Sequence, residues 1–396
     1  MALPSSAAAR LATRLAFLVA GFGVASWAPL VPFAKTRLAI GDGAMGMLLL
    51  CLGLGSVVTM SATGALAGRF GSRPIIILGG VGVSVFLPLL AIADSPVALG
   101  AALFAFGAAL GTLDVAMNIH AVDVERVSDR PLMSGFHALY SIGGVAGATA
   151  MTVMLSLGLS PLTGVIINAV LMLAAMGLTA PRLIRAKGDP DGAGFALPRG
   201  VVLLLSLLAA ATFLAEGAML DWSALLITKN GLVAVAQGGL GFMLFSIAMT
   251  AGRLVGDKVV ARLGDETVLR WGGLLAVAGF VVLLAAPVAV VALSGFILIG
   301  LGAANIVPVL FRLAGVQTAM PAAQAISALS TIGYAGILIG PAGIGGVAQI
   351  TGLHGAFWLL AGLFALTPLL AGRLTAPARD REVSPPPASQ PAEPGR

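Results

Sequence analysis

Two polar side chains interrupt the apolar run at residues 97–119, Asp114 and, four residues later, Asn118. Residues four apart lie on one face of a helix, and Gly107 and Gly111 continue that face. An ionised Asp at the centre of a membrane helix costs roughly 2.5–3.5 kcal/mol, so Asp114 must face protein or water. Burial favours the neutral form of a carboxyl group. Asp114 is therefore a candidate proton-binding site, and a structural hydrogen bond to a neighbouring helix is the alternative.

Glu216 is the only acid well inside the apolar runs of the C-terminal half. It could bind a proton or a cation, or it could form a salt bridge or a helix contact. Asn118 also has two possible roles, because an amide side chain can bind substrate but commonly joins membrane helices. The sequence therefore offers two proton-coupling candidates, Asp114 and Glu216; we predict that Asp114 is the coupling site and keep Glu216 as its rival.

The composition restricts the protein class. Of the 396 residues, 59% are hydrophobic and only 10% are charged, whereas soluble domains carry about 25% charged residues. The mean hydropathy is +1.04. A single cysteine, Cys51, excludes an internal disulfide and a multi-cysteine metal site. The three histidines are scattered, so we expect no enzyme, no metal and no cofactor.

Twelve apolar runs are long enough to cross a membrane as helices. We predict spans at residues 13–34, 44–68, 75–94, 97–119, 134–157, 160–180, 200–226, 237–261, 268–286, 288–311, 322–349 and 354–373. With the N-terminus inside, three of the 22 Lys and Arg residues fall on outer loops (Lys35, Arg37 and Lys229), which leaves 22 − 3 = 19 at inner positions. This bias predicts that both termini are cytoplasmic. It assigns the net charge of +6 to membrane orientation rather than to a nucleic-acid partner.

The longest polar interruption divides the chain. Residues 181–199 are rich in Gly, Pro and charge, as linkers are. We predict an N-terminal six-helix half at 1–180, a cytoplasmic linker at 181–199 and a C-terminal six-helix half at 200–374. Residues 375–396 are Pro-rich and charged, and we predict a disordered cytoplasmic tail there.

The two halves repeat each other at an offset of 193 residues. The offset relates Arg69-Phe-Gly71 to Arg262-Leu-Gly264, Gly79-Gly80 to Gly272-Gly273, Gly107 to Gly300, and Gly143 and Gly147 to Gly336 and Gly340. Equivalent helices then enter the membrane from the same side. This pattern predicts parallel repeats with a substrate site near the midplane between them.

The segment Gly64-Ala-Leu-Ala-Gly-Arg-Phe-Gly-Ser-Arg-Pro74 resembles the signature between spans 2 and 3 of the major facilitator superfamily, G-x-L-a-D-R-x-G-R-K/R. With twelve spans, a central loop and a second copy, the resemblance covers essentially the whole chain. It implies an all-α polytopic membrane protein, with twelve transmembrane helices in two parallel six-helix repeats.

The chain departs from that signature at its acid. Gly68 and Ala261 stand where the two copies would carry it, and in the family this acid belongs to a charge network that holds the halves together on the cytoplasmic side. We expect Asp257, one turn before Ala261, to replace it. The other residues of the conformational-gate motif are Gly64, Arg69, Gly71, Arg73, Arg262 and Gly264. For the arginines, topology anchoring is the alternative.

Within the superfamily, the chain more closely resembles the fucose-permease-like branch and its bacterial inner-membrane members. Leu113-Asp-Val-Ala-Met-Asn118 is similar to the branch's L-E-T-A-A-N in span 4, whose acid carries the coupled proton. Ala304-Asn-Ile-Val-Pro-Val-Leu-Phe311 resembles its span 10 segment I-x-x-P-x-x-F, and residues 130–143 resemble the entry to its span 5. The branch pairs its span 4 acid with an Asp in span 1, where this chain offers only Trp27 and Pro29.

Seven polar or aromatic residues are candidates for binding substrate: Trp27, Asn118, His137, Tyr140, Trp222, Asn305 and Tyr334. For His137, near the predicted inner end of span 5, a solvated or backbone-bonded histidine is the alternative. Tyr hydroxyls can tie helices together, and Trp222 can anchor the membrane interface. We find no Lys or Arg deep inside a span, with Arg253 and Arg312 placed at inner ends, which favours a neutral or cationic solute.

The resemblance to this branch, together with the lack of a buried cation, implies a secondary active transporter of the bacterial inner membrane. It moves a small, neutral, sugar-like solute by alternating access, coupled to protons, and it acts as a monomer in the bilayer. Two alternatives stay open: an exporter of hydrophobic or cationic compounds by proton antiport, and a membrane receptor or scaffold that does not transport.

Overall fold

The computed structural model describes residues 6–40, 42–128, 130–185, 197–229, 231–233 and 240–383. Over these ranges the chain is helical, with short connections between the helices and no strand. Helices are expected because the hydrocarbon core offers no water to the backbone. A helix satisfies its N–H and C=O groups within the segment itself.

Thirteen α-helices follow one another in the described ranges. They are α1 Ser6–Trp27, α2 Val31–Leu38, α3 Asp42–Phe70, α4 Ser72–Ile92, α5 Pro96–Ser128, α6 Met133–Ser156, α7 Pro161–Thr179, α8 Val201–Lys229, α9 Leu240–Leu263, α10 Asp265–Leu284, α11 Ala289–Ala303, α12 Ile306–Val316 and α13 Ala322–Val383. Short 3-10 turns follow α1 at Ala28–Leu30 and α7 at Ala180–Arg182.

Twelve segments are long and apolar enough to cross a membrane. Span 1 is α1 with its 3-10 turn, spans 2–9 are α3–α10, and span 10 combines α11 and α12. Helix α13 supplies spans 11 and 12, because Gly352 (φ 75°) is not helical and breaks it. The prediction of an all-α polytopic chain with twelve spans is confirmed. We call spans 1–6 the N half and spans 7–12 the C half.

Two departures from the predicted spans affect the polar contacts. Helix α5 runs on to Ser128, beyond the predicted end at residue 119. Glu and Arg are good helix formers, so the helix outlasts the apolar run and carries Glu125 to its end. Span 10 is broken at Asn305 (φ −108°), three residues before Pro308, whose ring supplies no N–H to a continuous helix.

The predicted tail is partly wrong. Helix α13 continues to Val383, so residues 375–383 are helical rather than disordered. Ala, Arg and Glu dominate this stretch and favour a helix in spite of Pro377. Residues 384–396 and the linker residues 186–196 lie outside the described residues. The start of the linker is fixed to the N half, because the Ile184 N–H donates to Nε2 of buried His120 at 2.9 Å.

Glycines related by the 193-residue offset make equivalent close contacts. Gly107 of span 4 lies against the backbone carbonyl of Leu52 in span 2, and Gly300 of span 10 lies against that of Phe245 in span 8. A side chain at either glycine would collide with that carbonyl. The sequence repeat therefore corresponds to matching helix–helix approaches, which small residues permit in membranes.

Spans 2 and 11 and spans 5 and 8 form the main contacts between the halves. We call the end that carries Phe70 and Ser128 the inner end, because the charge bias predicts that it faces the cytoplasm. Near this end the Ser327 hydroxyl donates to the Met60 carbonyl at 2.6 Å. The Gly135 N–H donates to Asp257 Oδ2 at 3.1 Å. The halves are thus closed at the inner end.

Candidate functional site

Asp114 lies between the halves. It is buried in span 4, and its carboxylate faces the hydroxyl groups of Ser330 and Tyr334 in span 11. Tyr334 in turn faces the hydroxyl of Tyr140 in span 5. Asp114 Oδ2 is buried without a hydrogen-bond partner among the described residues. We call Asp114, Tyr140, Ser330 and Tyr334 the central cluster.

Asn118 continues the polar face of span 4. Its Nδ2 donates to the backbone carbonyl of Asp114 at 2.9 Å. This bond lies within one helix, so the amide does not join two helices through its nitrogen. Among the described residues its Oδ1 has no partner, although the side chain is fully buried. An acceptor therefore remains available one turn from Asp114.

Glu216 has a cationic partner. Its Oε1 lies 3.5 Å from Nη2 of Arg253 in span 8. Arg253 also donates through Nη1 to Ser141 Oγ at 3.1 Å and through Nε to the Ala304 carbonyl at 3.2 Å. Both charges of this pair belong to the C half, whereas Ser141 belongs to span 5 of the N half. Tyr140 lies within electrostatic range of both charges and of Asp114.

The sequence-based placement of Arg253 is therefore wrong. We expected an inner-end anchor, yet its side chain is only 8% exposed and pairs with Glu216 in the membrane interior. The helix continues for ten residues beyond Arg253, to Leu263, so Arg253 lies well inside it rather than at its inner end. Arg312 does lie at the inner end, where it contacts Asp265 and Glu125.

His137 belongs to an aromatic layer that crosses the two halves. Its ring centroid lies 5.1 Å from that of Phe17 in span 1 and 5.5 Å from that of Phe311 in span 10. Phe17 also stacks on Phe136, at 5.8 Å. In the described part of the chain, the buried Nε2 of His137 has no hydrogen-bond partner. This nitrogen is therefore neither exposed to solvent nor bonded to the backbone, in contrast to the alternative expected for His137.

Three other candidates lie outside the central cluster. Asn305 donates through Nδ2 to the Gly252 carbonyl at 3.2 Å and so ties span 10 to span 8. Trp27 is buried at the end of α1. The Trp222 ring packs on Gly345 and lines a separate cavity of about 510 Å³, bordered also by Gln349. Tyr140 and Tyr334 are thus the substrate candidates that the structure brings to Asp114.

A second polar group closes the inner end. Glu125 Oε2 accepts from the N–H groups of Leu132 and Met133 at 2.6 and 2.9 Å, so it caps the first turn of α6. Its other oxygen lies 3.7 Å from Nε of Arg312 in the C half. Arg126 donates to the Gly315 carbonyl, again across the halves. The helix N-terminus and the guanidinium each stabilise the negative charge of Glu125.

The residues of the gate motif have unequal roles. Gly64 packs against Ser327 of span 11, and Asp257 binds the Gly135 N–H of span 5, so these two touch the opposite half. Arg73 donates to the Ala180 carbonyl within the N half. The guanidinium of Arg69 lies 5.2 Å from the Phe70 ring centroid.

Two glycines of the gate motif lie immediately before a helix, in a backbone conformation that favours glycine. Gly71 and Gly264 have φ values of 81° and 76°, each immediately before a helix. A residue with a side chain rarely adopts such values. Arg262, two residues before Gly264, has an exposed side chain and forms no ion pair within the described ranges.

Sequence reasoning missed Glu125, Ser141 and Ser330. Glu125 lies beyond the apolar run that predicts span 4, so a prediction based on apolar length leaves it outside the helix. Ser141 lies one position from Tyr140, and Ser330 one turn before Tyr334. Neither serine is distinctive in a chain rich in small residues. Arg253 had a usable signal, since it lies one helical turn before Asp257 on the same face.

A family model described as Major Facilitator Superfamily matches residues 14–322 and 233–395. The chain belongs to this superfamily. It is 47% identical over 365 residues to an uncharacterised MFS-type transporter of Yersinia pestis, which covers 92% of this chain and 95% of that protein. It is 30% identical over 344 residues to the membrane protein MosC of Rhizobium meliloti, which covers 85% of this chain and 83% of that protein.

A solved structure has the same fold. The crystal structure of the Escherichia coli fucose:proton symporter FucP aligns with a TM-score of 0.74 and 17% sequence identity, over 92% of this chain and 97% of that chain. The match to the family model and to the relatives makes the chain a multi-pass membrane transporter of the superfamily and not an enzyme. The resemblance to the superfamily in the sequence is confirmed.

Proposed function

We propose that this transporter moves a small, neutral, sugar-like solute by alternating access and couples the movement to protons through Asp114. One observation carries the proposal. Asp114 is a buried carboxylate of the N half that faces two hydroxyl groups of the C half, with no cationic side chain paired to it among the described residues. A proton gained or lost there changes the contact between the halves.

The charges around the central cluster support a neutral solute. Arg253 gives the site a buried guanidinium, which the sequence argument had excluded, but Glu216 neutralises it. Several buried polar atoms have no hydrogen-bond partner among the described residues, and they include Asp114 Oδ2, Asn118 Oδ1, His137 Nε2 and Ser330 Oγ. Such atoms are rarely left unsatisfied in proteins. Mixed donors and acceptors from both halves suit a compound with several hydroxyl groups, and the structurally similar symporter carries fucose.

Glu216 is the weaker candidate for the coupled proton. A guanidinium beside a carboxylate favours the charged form, whereas burial without a cation favours the neutral form. Glu216 has Arg253 at 3.5 Å, and Asp114 has hydroxyl groups instead. We therefore assign proton exchange to Asp114 and a fixed negative charge to Glu216.

The proposal includes an orientation. The protein would lie in the bacterial inner membrane as a monomer, with both termini in the cytoplasm and the inner end closed in this structure. The charge bias across the loops supports it. In a Cys51→Ser background, a cysteine placed by Pro190→Cys should react only with reagents that reach the cytoplasmic side. Reaction from the outside would overturn the orientation.

The solute is identified by a thermal-shift screen of the purified protein against sugars, polyols, nucleosides and drug-like cations. Stabilisation by a sugar or polyol is expected. Stabilisation by cationic amphiphiles alone would instead favour an exporter of such compounds. Absence of flux in proteoliposomes for every stabilising compound would favour a receptor.

Uptake of that solute into proteoliposomes then tests the coupling. Asp114→Asn keeps the shape and removes the titration, so accumulation driven by a pH gradient should disappear while solute exchange continues. Glu216→Gln tests the rival carboxylate in the same way. It leaves Arg253 without its anion and should lower the yield of folded protein, but the protein that does insert should keep gradient-driven accumulation. If Asp114→Asn accumulates solute as well as the native protein does, Asp114 is a structural residue.

A further inference from the structure

Arg253 is the point where the charged pair reaches the other half. Three of its nitrogens have separate partners: Glu216 Oε1 at 3.5 Å, the Ala304 carbonyl at 3.2 Å and Ser141 Oγ at 3.1 Å. The first two partners belong to the C half and move with it. Only Ser141 belongs to the N half.

The hydroxyl of Ser141 is oriented to accept this bond. Its own hydrogen is donated to the His137 carbonyl, one turn earlier on α6, at 3.3 Å. A hydroxyl has one donor hydrogen and two acceptor lone pairs, so a lone pair remains for Arg253 Nη1. Hydrogen bonds to a charged group are stronger than neutral ones. The Arg253–Ser141 bond is thus a charge-assisted contact between the halves.

The same faces of spans 8 and 5 meet again one turn nearer the inner end. Asp257, four residues after Arg253, accepts from the Gly135 N–H at 3.1 Å. Between these two contacts, Gly256 is pressed against Ser134, where a side chain would collide. Three contacts thus hold span 8 on span 5, and the contact made by Arg253 lies farthest from the inner end. Arg253 also pairs with Glu216 in the membrane interior.

We propose that Arg253 is a positioning residue that links the central site to closure of the inner end, through its bond to Ser141. The bond is made when the inner end is closed and lost when the halves separate there. Glu216 and the Ala304 carbonyl keep the guanidinium paired in both states, so only the bond to Ser141 distinguishes them. This inference rests on the alternating access of the proposed function.

The cost of losing the bond sets the expected effect. A hydrogen bond to a charged group contributes enough free energy for about a tenfold change in an equilibrium. Ser141→Ala removes the acceptor and leaves Arg253 paired with Glu216, so it should raise the population open at the inner end about tenfold. Ser141→Thr keeps a hydroxyl and should restore the native population.

The experiment measures thiol labelling in the full-length protein. In a Cys51→Ser background, Ser327→Cys places the reporter thiol between spans 2 and 11, where Ser327 is 4% exposed. This is the other contact between the halves, so the thiol reports their separation rather than local loosening of span 5. The probe is a water-soluble maleimide, and no solute is needed.

Ser84→Ala is the matched control, because the hydroxyl of buried Ser84 donates to the Gly80 carbonyl of its own helix at 2.8 Å and forms no other hydrogen bond among the described residues. We expect about tenfold faster labelling in Ser141→Ala and native rates in Ser84→Ala and Ser141→Thr. Equal rates in Ser141→Ala and Ser84→Ala would overturn the inference. Because labelling at one fixed pH needs neither solute nor a proton gradient, that result would be separate from a failure of the uptake experiments.

Discussion

The two contacts between the halves at the inner end are related by the 193-residue offset, yet they differ in chemistry. Position 64 corresponds to 257, and position 134 corresponds to 327. Between spans 2 and 11, Gly64 packs on Ser327, whose hydroxyl binds the Met60 carbonyl. Between spans 8 and 5, the equivalent of Gly64 is Asp257, which binds a backbone N–H.

The difference continues one turn further into the membrane. Met60 corresponds to Arg253, so a thioether stands in one repeat where a guanidinium stands in the other. The span 2–11 contact depends on close packing of small residues, which charge does not affect. The span 8–5 contact contains two ionised groups and should respond to protons and polar solutes. The two repeats thus use equivalent positions for different contacts: a steric contact between spans 2 and 11 and an electrostatic contact between spans 8 and 5.

The largest effect is expected where the electrostatic contact is broken at its cation. Arg253→Met leaves Glu216 buried without its partner, and removing one member of a buried ion pair costs about 3–5 kcal/mol. Thermal unfolding of the purified protein should show a large decrease in the midpoint.

The double variant Arg253→Met with Glu216→Gln is the control for that prediction. It removes both charges, and replacing a whole buried pair is often neutral. It should regain most of the lost stability. Equal loss in the single and double variants would mean that Arg253 contributes through packing and its other bonds rather than through Glu216.

The steric contact should be broken by the smallest side chain. In Gly64→Ala the new methyl group would lie 2.9 Å or less from Ser327 Oγ and the Ala323 carbonyl. Overpacking of this kind typically costs about 1–3 kcal/mol. We expect faster labelling of a reporter at the other contact, introduced by Ser134→Cys in a Cys51→Ser background.

Gly177→Ala is the matched control for Gly64→Ala, since no atom lies within 4 Å of a side chain built there. It should label at the native rate. If Gly64→Ala also labels at the native rate, spans 2 and 11 are not held by close packing at this position.

The number and the arrangement of the spans could be predicted from the sequence, because the membrane sets the length of an apolar span and the side on which basic loops lie. Twelve runs of the required length predict twelve spans, and the glycine offset predicts where helices approach closely. The polar contacts could not be predicted in the same way. Whether Arg253 meets lipid, water or Glu216 depends on which helix faces it, and hydropathy carries no such information.

Asp114 and Tyr334 show the same limit at the site. An intramembrane acid could be recognised as costly from its position alone. Its partners, Ser330 and Tyr334, are more than 200 positions away and reach it only because span 11 packs beside span 4. Glu125 could not be predicted for another reason. The length of an apolar run indicates which residues cross the membrane, but helix α5 continues beyond that run to Ser128.

A smaller effect is expected at the anion of the electrostatic contact. Asp257→Ala removes the acceptor for the Gly135 N–H in the first turn of α6. Loss of a side-chain cap costs about 1 kcal/mol. Labelling of the Ser327→Cys reporter should rise about fivefold, on the basis that 1.4 kcal/mol corresponds to tenfold.

Asp257→Asn retains a carbonyl oxygen that can accept the same bond, so it serves as the control. It should label more slowly than Asp257→Ala. The reverse order would indicate that the charge of Asp257, and not its bond to span 5, keeps the inner end closed.

The smallest effect is expected at the signature arginines, which lie beside both contacts without joining the halves. Arg69 and Arg262 have exposed side chains, and among the described residues neither forms an ion pair. Surface substitutions of this kind usually change stability by about 0.5 kcal/mol or less. Arg69→Ala and Arg262→Ala should therefore leave the unfolding midpoint and the labelling of the Ser327→Cys reporter near native values. Their charge would act instead during insertion, because inner Lys and Arg residues set the orientation of the bundle. A labelling rate raised as far as in Asp257→Ala would show that these arginines hold the inner end closed, and the contrast between a steric and an electrostatic contact would have to include them.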